Sequence, residues 1–230
     1  MELSESLEGK FIDAMHQAHA LVDVDLSVMP PQNTLDRDES CFDAWLQSEN
    51  PEPKLRIWTN TKCLVVTRRQ TRHPNFEKAR LIMMKKGWPV VVRRSGGSTV
   101  VHRRGVLNVS LYIGWSDIAD WQGLASGYHQ LLSLMQTACH RIGVKTSVGP
   151  SPKSYCDGAY NLLFESKKLA GTAARIRRSD NRIGQLVHAS LVISGDVKGD
   201  MESVFNFEHV LGETPDYDPK SMTTLAHACK

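Results

Sequence analysis

Val90-Val91-Val92-Arg93-Arg94-Ser95-Gly96-Gly97-Ser98-Thr99-Val100-Val101-His102 is the stretch on which the reading of this chain turns. A valine-rich run reads as a buried strand, the paired glycines permit a tight turn with close backbone approach, and a second valine-rich run resumes at once. Such a turn serves either as a plain hairpin between neighbouring strands or as a seat for a polar ligand. Arg93 and Arg94, entering it, supply fixed positive charge and fork-shaped donors, which suit a carboxylate, a phosphate or a thioester carbonyl.

Working outward, Leu55-Arg56-Ile57-Trp58 and Cys63-Leu64-Val65-Val66-Thr67 read as two strands joined by a turn around Thr59-Asn60-Thr61. A helix is predicted from Phe76 to Lys86, with Lys85 and Lys86 at the negative end of its dipole and Gly87 as its stop. A strand at Leu107 to Ile113 precedes the longest predicted helix, Ile118 to Ile142, whose apolar positions Leu124, Tyr128, Leu131, Leu132, Met135 and Cys139 should cover a sheet face. Beyond Gly149-Pro150-Ser151-Pro152 come strands at about Tyr160 to Glu165, Lys168 to Arg175 and Gly184 to Ser194, then a helix near Met201 to Leu211. At the other end, Phe11, Met15, Ala18 and Val22 predict an amphipathic helix from Leu7 to about Val24. Met29-Pro30-Pro31-Gln32-Asn33 breaks it, and a short helix through Cys41, Phe42, Trp45 and Leu46 ends at Asn50-Pro51-Glu52-Pro53. Clustered strands interrupted by separated helices predict an α+β fold with a mixed, largely antiparallel sheet packed with helices, not a doubly wound one.

At 230 residues the chain fits one domain, 1–230, with 1–54 as its N-terminal helical segment. No run approaches the roughly eighteen apolar residues that span a bilayer, so no membrane role is expected. The acidic, polar start Met1-Glu2-Leu3-Ser4-Glu5-Ser6 is unlike an export signal, and five cysteines without a C-x-x-C pair suit a reducing cytoplasm; no metal site is expected. A formal charge of +3 favours an acidic partner. The basic segment Arg175-Ile176-Arg177-Arg178-Ser179-Asp180-Asn181-Arg182 lacks interleaved aromatics, so it reads as a solvated loop that receives an acidic protein surface and not nucleic acid.

A second island, Tyr155-Cys156-Asp157-Gly158-Ala159-Tyr160-Asn161-Leu162-Leu163-Phe164, is followed by Lys167-Lys168-Leu169-Ala170-Gly171-Thr172-Ala173-Ala174-Arg175. With the Arg93-to-Gly97 turn it resembles the lipoate protein ligase and octanoyltransferase family, whose members carry an Arg-Arg-x-Ser-Gly-Gly-Gly-like turn and later a Lys-x-x-Gly-x-Ala-like strand. The resemblance runs from about Trp58, through Cys63-Leu64-Val65-Val66 and Gly105-Val106-Leu107-Asn108, to about Leu191; residues before Trp58 and after Gly195 add little. It implies the biotin and lipoate ligase type of catalytic fold and the movement of an octanoyl or lipoyl group in protein lipoylation.

By that resemblance Lys168 falls on the family's lysine, which contacts the activated acyl carbonyl or acyl phosphate. An ammonium on a strand is a fixed charge aimed where negative charge develops in acyl transfer, and the small Ala170-Gly171-Thr172-Ala173 lets a ligand reach the backbone. Lys167 should point to the opposite face. Cys156, after a Pro-containing turn and before Asp157-Gly158, resembles the upstream cysteine of thioester-forming octanoyltransferases and lipoyl amidotransferases. Another octanoyltransferase branch places its cysteine after the lysine, where this chain has none until Cys229. A thiolate can attack an acyl thioester and retain the acyl group, and a nearby lysine lowers the thiol's pKa. Cys41, Cys63, Cys139 and Cys229 read as small apolar filler.

Arg93, Ser95, Gly96 and Gly97 are expected to line the acyl headgroup, joined by Asp157, Gly158, Gly171, Thr172 and Ala173. His102 matches the family's histidine after the turn, or is a strand histidine satisfied by a carbonyl. Arg103 stands where ligases commonly have aspartate, and is available to face an acidic carrier. His188, loosely near the family's acyl tunnel, is left without a role. An eight-carbon chain needs an apolar slot worth about 5 kcal/mol at ~0.8 kcal/mol per methylene, with Val91, Val100, Leu107, Leu162 and Ala170 as candidate walls.

The resemblance thus implies a transferase that needs no cofactor, takes its acyl group from an acyl carrier protein or a lipoylated donor protein, and delivers it to the lysine of a lipoyl domain. The alternative is a lipoate protein ligase acting through a lipoyl-adenylate with ATP and magnesium. A third reading is a relative that only binds lipoylated proteins or free cofactor, against which Cys156 and Lys168 speak.

Overall fold

A computed structural model describes residues 6–49, 51–179 and 182–230. The readings that fall on the acidic start before Ser6, on Asn50 and on Asp180-Asn181 lie outside the described residues. Seven strands form the larger sheet: β1 (Val22–Asp25), β2 (Lys54–Thr59), β6 (Val106–Trp115), β7 (Ser147–Gly149), β8 (Asn161–Phe164), β9 (Lys167–Ser179) and β10 (Arg182–Val192). Their order is β1-β2-β6-β10-β9-β8-β7, antiparallel throughout except for the β1–β2 pair. A second sheet holds β3 (Cys63–Thr67), β4 (Val90–Arg93) and β5 (Val100–His102) in the order β4-β3-β5. The mixed, largely antiparallel α+β fold is the one the sequence predicts.

The glycine turn is not a hairpin. β4 runs parallel to β3 and β5 antiparallel to it, so the two valine runs flank a third strand instead of each other. That separation leaves the Arg93-to-Thr99 backbone free to face the larger sheet. β2 and β3, expected as neighbours, lie in different sheets.

Among the described residues six helices complete the fold: α1 (Leu7–Ala18), α2 (Pro31–Leu46), α3 (Phe76–Lys85), α4 (Leu124–Arg141), α5 (Val197–Leu211) and α6 (Leu225–Ala228). α1 stops at Ala18, and Val22 to Asp25, expected as its last turn, pairs with β2 as a strand. Pro31, read as a breaker, is the first residue of α2, where its missing N–H has no helical partner to lose. α4 begins at Leu124, and Ile118–Asp120 is a separate 3₁₀ turn.

Side-chain alternation along β6 sorts the molecule into layers. Leu107, Val109, Leu111 and Ile113 pack with Val187, Ala189 and Leu191 of β10 under Phe11 and Met15 of α1 and Leu131, Met135 and Cys139 of α4. The opposite face carries Asn108, Ser110 and Tyr112 on β6, and His188 and Ser190 on β10. The small sheet closes over part of that face, backed by α3 and α5 through Ala79, Met83, Val204 and Phe207; Phe76 and Phe207 meet edge-on. Among the described residues no helix is long and apolar enough to cross a membrane.

α2 is fixed to this polar face by buried charge. Arg56, 1% exposed, reaches Asp38 at 3.3 Å and Asp25 at 2.6 Å. Asp38 also accepts the Tyr112 hydroxyl at 2.7 Å and the Ser110 hydroxyl at 2.8 Å. The described part of the basic segment expected to be a solvated loop, Arg175 to Ser179 and Arg182, lies instead on the β9–β10 ladder, and three of its four arginines are matched internally: Arg175 pairs with Glu39 and Arg177 with Asp43 of α2, while Arg182 donates to the Ser48 and Glu49 carbonyls.

Asp38→Ala leaves Arg56 Nη1 and the Ser110 hydroxyl without their acceptor in the interior and the Tyr112 hydroxyl with only the backbone carbonyl at 3.2 Å, while Arg56 keeps Asp25. The expected cost is about 3–5 kcal/mol, seen as a lower urea midpoint at unchanged slope. Tyr112→Phe, which removes one donor only, is expected to cost about 1 kcal/mol in the same measurement.

Candidate active site

The two sheets meet at the end of β4. Arg93, buried, folds its guanidinium back over the turn it begins, donating from Nη2 to the Gly96 carbonyl at 2.9 Å and the Ser98 carbonyl at 2.8 Å. Its Nε is buried with no partner among the described residues. The turn is anchored from below, since Gln70 donates to Thr99 Oγ1 at 2.8 Å and accepts the Thr67 N–H at 3.0 Å.

Against this turn lies the 151–158 loop. Asp157 Oδ1 gathers it, accepting from the N–H groups of Ser151 and Gly158 and from Asn161 Nδ2, each at 2.8 Å. Cys156 adopts a left-handed backbone, φ 48°, which points its thiol at the turn. Ser98 N–H donates to Cys156 Sγ at 3.2 Å, and Arg93 Nη2 lies 3.8 Å from the same sulfur. Gly97, φ 102°, has no room for a side chain, because a Cβ there would sit 2.8 Å from Arg93 Nη2 and 3.0 Å from Cys156 Sγ.

Lys168, 2% exposed, comes from β9 on the far side of the loop. Its Nζ donates to the carbonyls of Tyr155 at 2.7 Å and Cys156 at 2.6 Å. Gly171 makes this path available, since a Cβ there would meet Lys168 Cε at 2.8 Å. The Lys168 backbone is held in turn by the Thr223 N–H at 2.9 Å and a bridge to Met222. Lys167 is partly exposed, as alternation requires.

Between these groups is a cavity of about 20 Å³, room for one water. Arg93, Cys156, Lys168, Gly171, Thr172 and Ala173 line it together. Val100 and Ala170 are walls as expected, whereas Val91, Leu107 and Leu162 lie in the core; Val101, Val106, Val192 and Met222 complete the apolar side.

The electrostatics follow from burial and neighbours. Burial alone would push the Cys156 thiol up, but the Arg93 and Lys168 charges and the Ser98 N–H together hold it below its ordinary value. Burial pulls Lys168 down to about 8, with Arg93 adding to the effect and the Cys156 and Asp157 anions opposing it. The Cys63 and Cys139 thiols, with no such neighbours, are pushed up to about 12 by burial.

Other expected residues are placed differently. His102 does not line the cavity; its Nδ1 faces Asn60 Nδ2 at 3.4 Å and its Nε2 faces Ser190 Oγ at 3.2 Å, and Ser190 donates onward to Asn108 Oδ1 at 2.7 Å. Asp157 acts on the loop and not on the cavity. Gly96 contributes its carbonyl to Arg93, and Gly158 is exposed. Ser95 is turned toward His188, Oγ to Nε2 2.7 Å. His188 does line the cavity, and burial, with help from Arg93, pulls it down to about 3, so it is neutral. Arg103 does not face a carrier: it grips Asp200 with two bonds of 2.7 and 2.5 Å and donates to the Ser194 carbonyl. Ser98 and Met222 were not legible as site residues, since a serine N–H and a remote methionine carry no motif. Among the described residues no three His, Cys, Asp or Glu side chains are grouped to hold a metal ion.

Residues 30–230 match a family model described as the lipoyl protein ligase A/B catalytic domain. An octanoyl-[GcvH]:protein N-octanoyltransferase of Geobacillus kaustophilus is 30% identical over 75% of this chain and 61% of its own length. A lipoyl-[GcvH]:protein N-lipoyltransferase of Listeria monocytogenes is 28% identical over 76% of this chain and 64% of its own. The chain therefore spans less than two thirds of the length of these curated relatives. A crystal structure of lipoate-protein ligase A bound with ATP superposes with a TM-score of 0.68 at 16% identity, over 90% of this chain and 77% of that one, a likeness of fold.

Alkylation of Cys156 by iodoacetamide is expected to rise with pH through a midpoint below the ordinary thiol value, because the native state favours the thiolate. Arg93→Met and Lys168→Met each remove a cation and should move that midpoint to higher pH, followed by mass spectrometry of the labelled peptide. Gly171→Ala, by displacing the Lys168 side chain, should shift it in the same direction at near-native melting temperature. One midpoint shared by all four proteins would refute the electrostatic account.

Proposed function

The chain belongs to the lipoyl protein ligase A/B catalytic-domain family, and on that premise we propose that it is an acyltransferase that carries an octanoyl or lipoyl group on Cys156 to the lysine of a lipoyl domain. The observation that carries this reading is the seating of one sulfur between the Ser98 N–H and the Arg93 guanidinium, on a cavity whose other wall holds the Lys168 ammonium. Relatives named for transfer between GcvH and another protein support octanoyl- or lipoyl-GcvH as donor; an acyl carrier thioester is the other donor the chemistry admits.

In the proposed first step the Cys156 thiolate attacks the donor carbonyl carbon, forming a C–S bond and a tetrahedral oxyanion. Lys168 commits two of its three N–H groups to the Tyr155 and Cys156 carbonyls, leaving the third for that oxygen or for the leaving group. With a pKa of about 8, Lys168 can release a proton to a departing amine and take one from the acceptor amine in the second step, so the cycle closes without net proton change. The oxyanion collapses, the donor leaves, and the acceptor lysine attacks the Cys156 thioester to form the product amide. The cavity is far smaller than an eight-carbon chain, so the acyl group enters by parting Val100, Val101, Val192 and Met222.

The ligase branch of the family works with ATP and magnesium. Here the residue after His102 is Arg103, locked on Asp200, in place of the aspartate the ligases commonly carry. These residues do not fit that group, which supports transfer without a nucleotide.

Intact mass after incubation with octanoyl-GcvH or an octanoyl carrier thioester is expected to show one octanoyl adduct, labile to hydroxylamine and absent in Cys156→Ala, with transfer to a lipoyl domain falling about 10³-fold or more. Full transfer by Cys156→Ala overturns the mechanism. Lipoate-dependent exchange of pyrophosphate into ATP that survives the substitution identifies a ligase, and neither activity identifies a protein that only binds.

A further inference from the structure

Most of this chain's arginines are spoken for. Arg56, Arg103, Arg175 and Arg177 are in ion pairs with its own carboxylates, Arg93 serves the turn, and Arg182 caps carbonyls. Arg94 is exposed, but its charge acts on Glu39. Arg104, whose charge acts on Glu8, and Arg178 are exposed singly, whereas between β3 and α3 the sequence Thr67-Arg68-Arg69-Gln70-Thr71-Arg72 gathers three arginines. Arg68, Arg69 and Arg72 are all exposed, and their side chains make no ion pair or hydrogen bond among the described residues.

The loop that bears this triplet is bonded to the turn that holds the thiol. Thr67 is the register partner of Arg93. Gln70, bracketed by the arginines and buried, is bonded to Thr67 on one side and to Thr99 on the other, and Thr99 follows the Ser98 whose N–H holds Cys156 Sγ. Thr71 closes the loop by bonding the Arg68 carbonyl at 2.9 Å. Glu208, which also reaches Thr99, is buried and takes the Thr99 N–H and the Tyr217 hydroxyl, so it does not neutralise the arginines.

We propose that Arg68, Arg69 and Arg72 form the docking surface for an acidic acyl carrier domain, steering its acyl-bearing arm toward Cys156. The proposal rests on the transferase reading, in which the substrates are proteins that must present a reactive group at this turn. Three unpaired guanidinium groups of one sign on the loop bonded to that turn concentrate a negatively charged partner on this side of the molecule and set its approach, an effect on encounter and not on the chemical step. The loop offers no aromatic side chain among the three arginines on which a base could stack, so an acidic protein surface is favoured over single-stranded nucleic acid.

The test compares wild type with Arg68→Glu/Arg69→Glu/Arg72→Glu, and with the milder Arg69→Gln/Arg72→Gln, matched by thermal melting. Octanoyl-GcvH is the protein donor; octanoyl-N-acetylcysteamine, uncharged, and octanoyl-CoA, phosphorylated, are the small ones. The expected result is a KM for octanoyl-GcvH raised about 10-fold or more by charge reversal with kcat nearly unchanged, lost salt sensitivity, and unaltered Cys156 acylation by both small donors. A parallel loss with octanoyl-CoA alone shows a phosphate site, an equal loss with all three shows damage to the thiol, and no change shows an idle loop; each overturns the proposal, as does a single-stranded RNA that binds wild type and competes with octanoyl-GcvH. If wild type forms no acyl-enzyme from any donor, the transferase reading fails, and titration calorimetry of GcvH onto the two proteins then tests the docking surface by itself.

Discussion

The grip of the Lys168 ammonium on the Tyr155 and Cys156 carbonyls holds the rest of the site together. A lysine buried this deeply sheds its hydration shell at considerable cost, and two carbonyl acceptors with an adjacent thiolate are what keep it charged. The same contact draws the loop toward β9, keeps Cys156 in its left-handed conformation and presents its sulfur to Ser98 and Arg93. Charge and geometry are thus coupled: the cation that lowers the thiol's affinity for a proton is also the fastener that aims it. Because Gly171 must lack a side chain for the lysine to lie down and Gly97 must lack one for the sulfur to fit, a glycine on β9 and another in the turn after β4 are both required to build the site.

Beneath the site, the polar face of the large sheet distributes its charges with little left over. Asp38, Arg56, Tyr112 and Ser110 bond to one another, and His102, Ser190, Asn108 and Asn60 form a neutral chain alongside, with Arg56 Nε and Asn108 Nδ2 buried without a hydrogen-bond partner among the described residues. Arg103 and Asp200 tie the start of α5 to the end of β5. Internal pairing on this scale explains why the mild excess of positive charge surfaces mainly where no partner within the chain exists.

Much of this could be read from residue order, and the failures share a physical cause. The valine runs, the α4 period and the Lys168 strand were legible because alternation and helical spacing are local signals. Pairing is not local. Nothing in Val90 to His102 says that β3 inserts between its two strands, and Val22 to Asp25 looks helical until Lys54–Thr59 offers it a neighbour. Arg175 and Arg177 read as part of a solvated loop, and Arg103 as a group free to face a carrier, because their carboxylates lie far off in sequence, on α2 and α5. Cys156 and Lys168 were found through motif and chemistry, whereas Ser98, contributing only a backbone N–H, and Met222, contributing only shape, have no signature that residue type could reveal. His102 is a motif position whose ring is taken up by Asn60 and Ser190, neighbours that residue order does not bring near it.

The strand that bears Lys168 is clasped by Met222 and Thr223, and the 151–158 loop by the Ser221 carbonyl. A ribosome releases these residues more than fifty positions after the lysine and more than sixty after the cysteine. During synthesis, therefore, the strand and the loop that position the sulfur lack this clasp until Ser221 to Thr223 are made, although Arg93, Ser98 and Lys168, which lower the thiol's affinity for a proton, precede that segment in the chain.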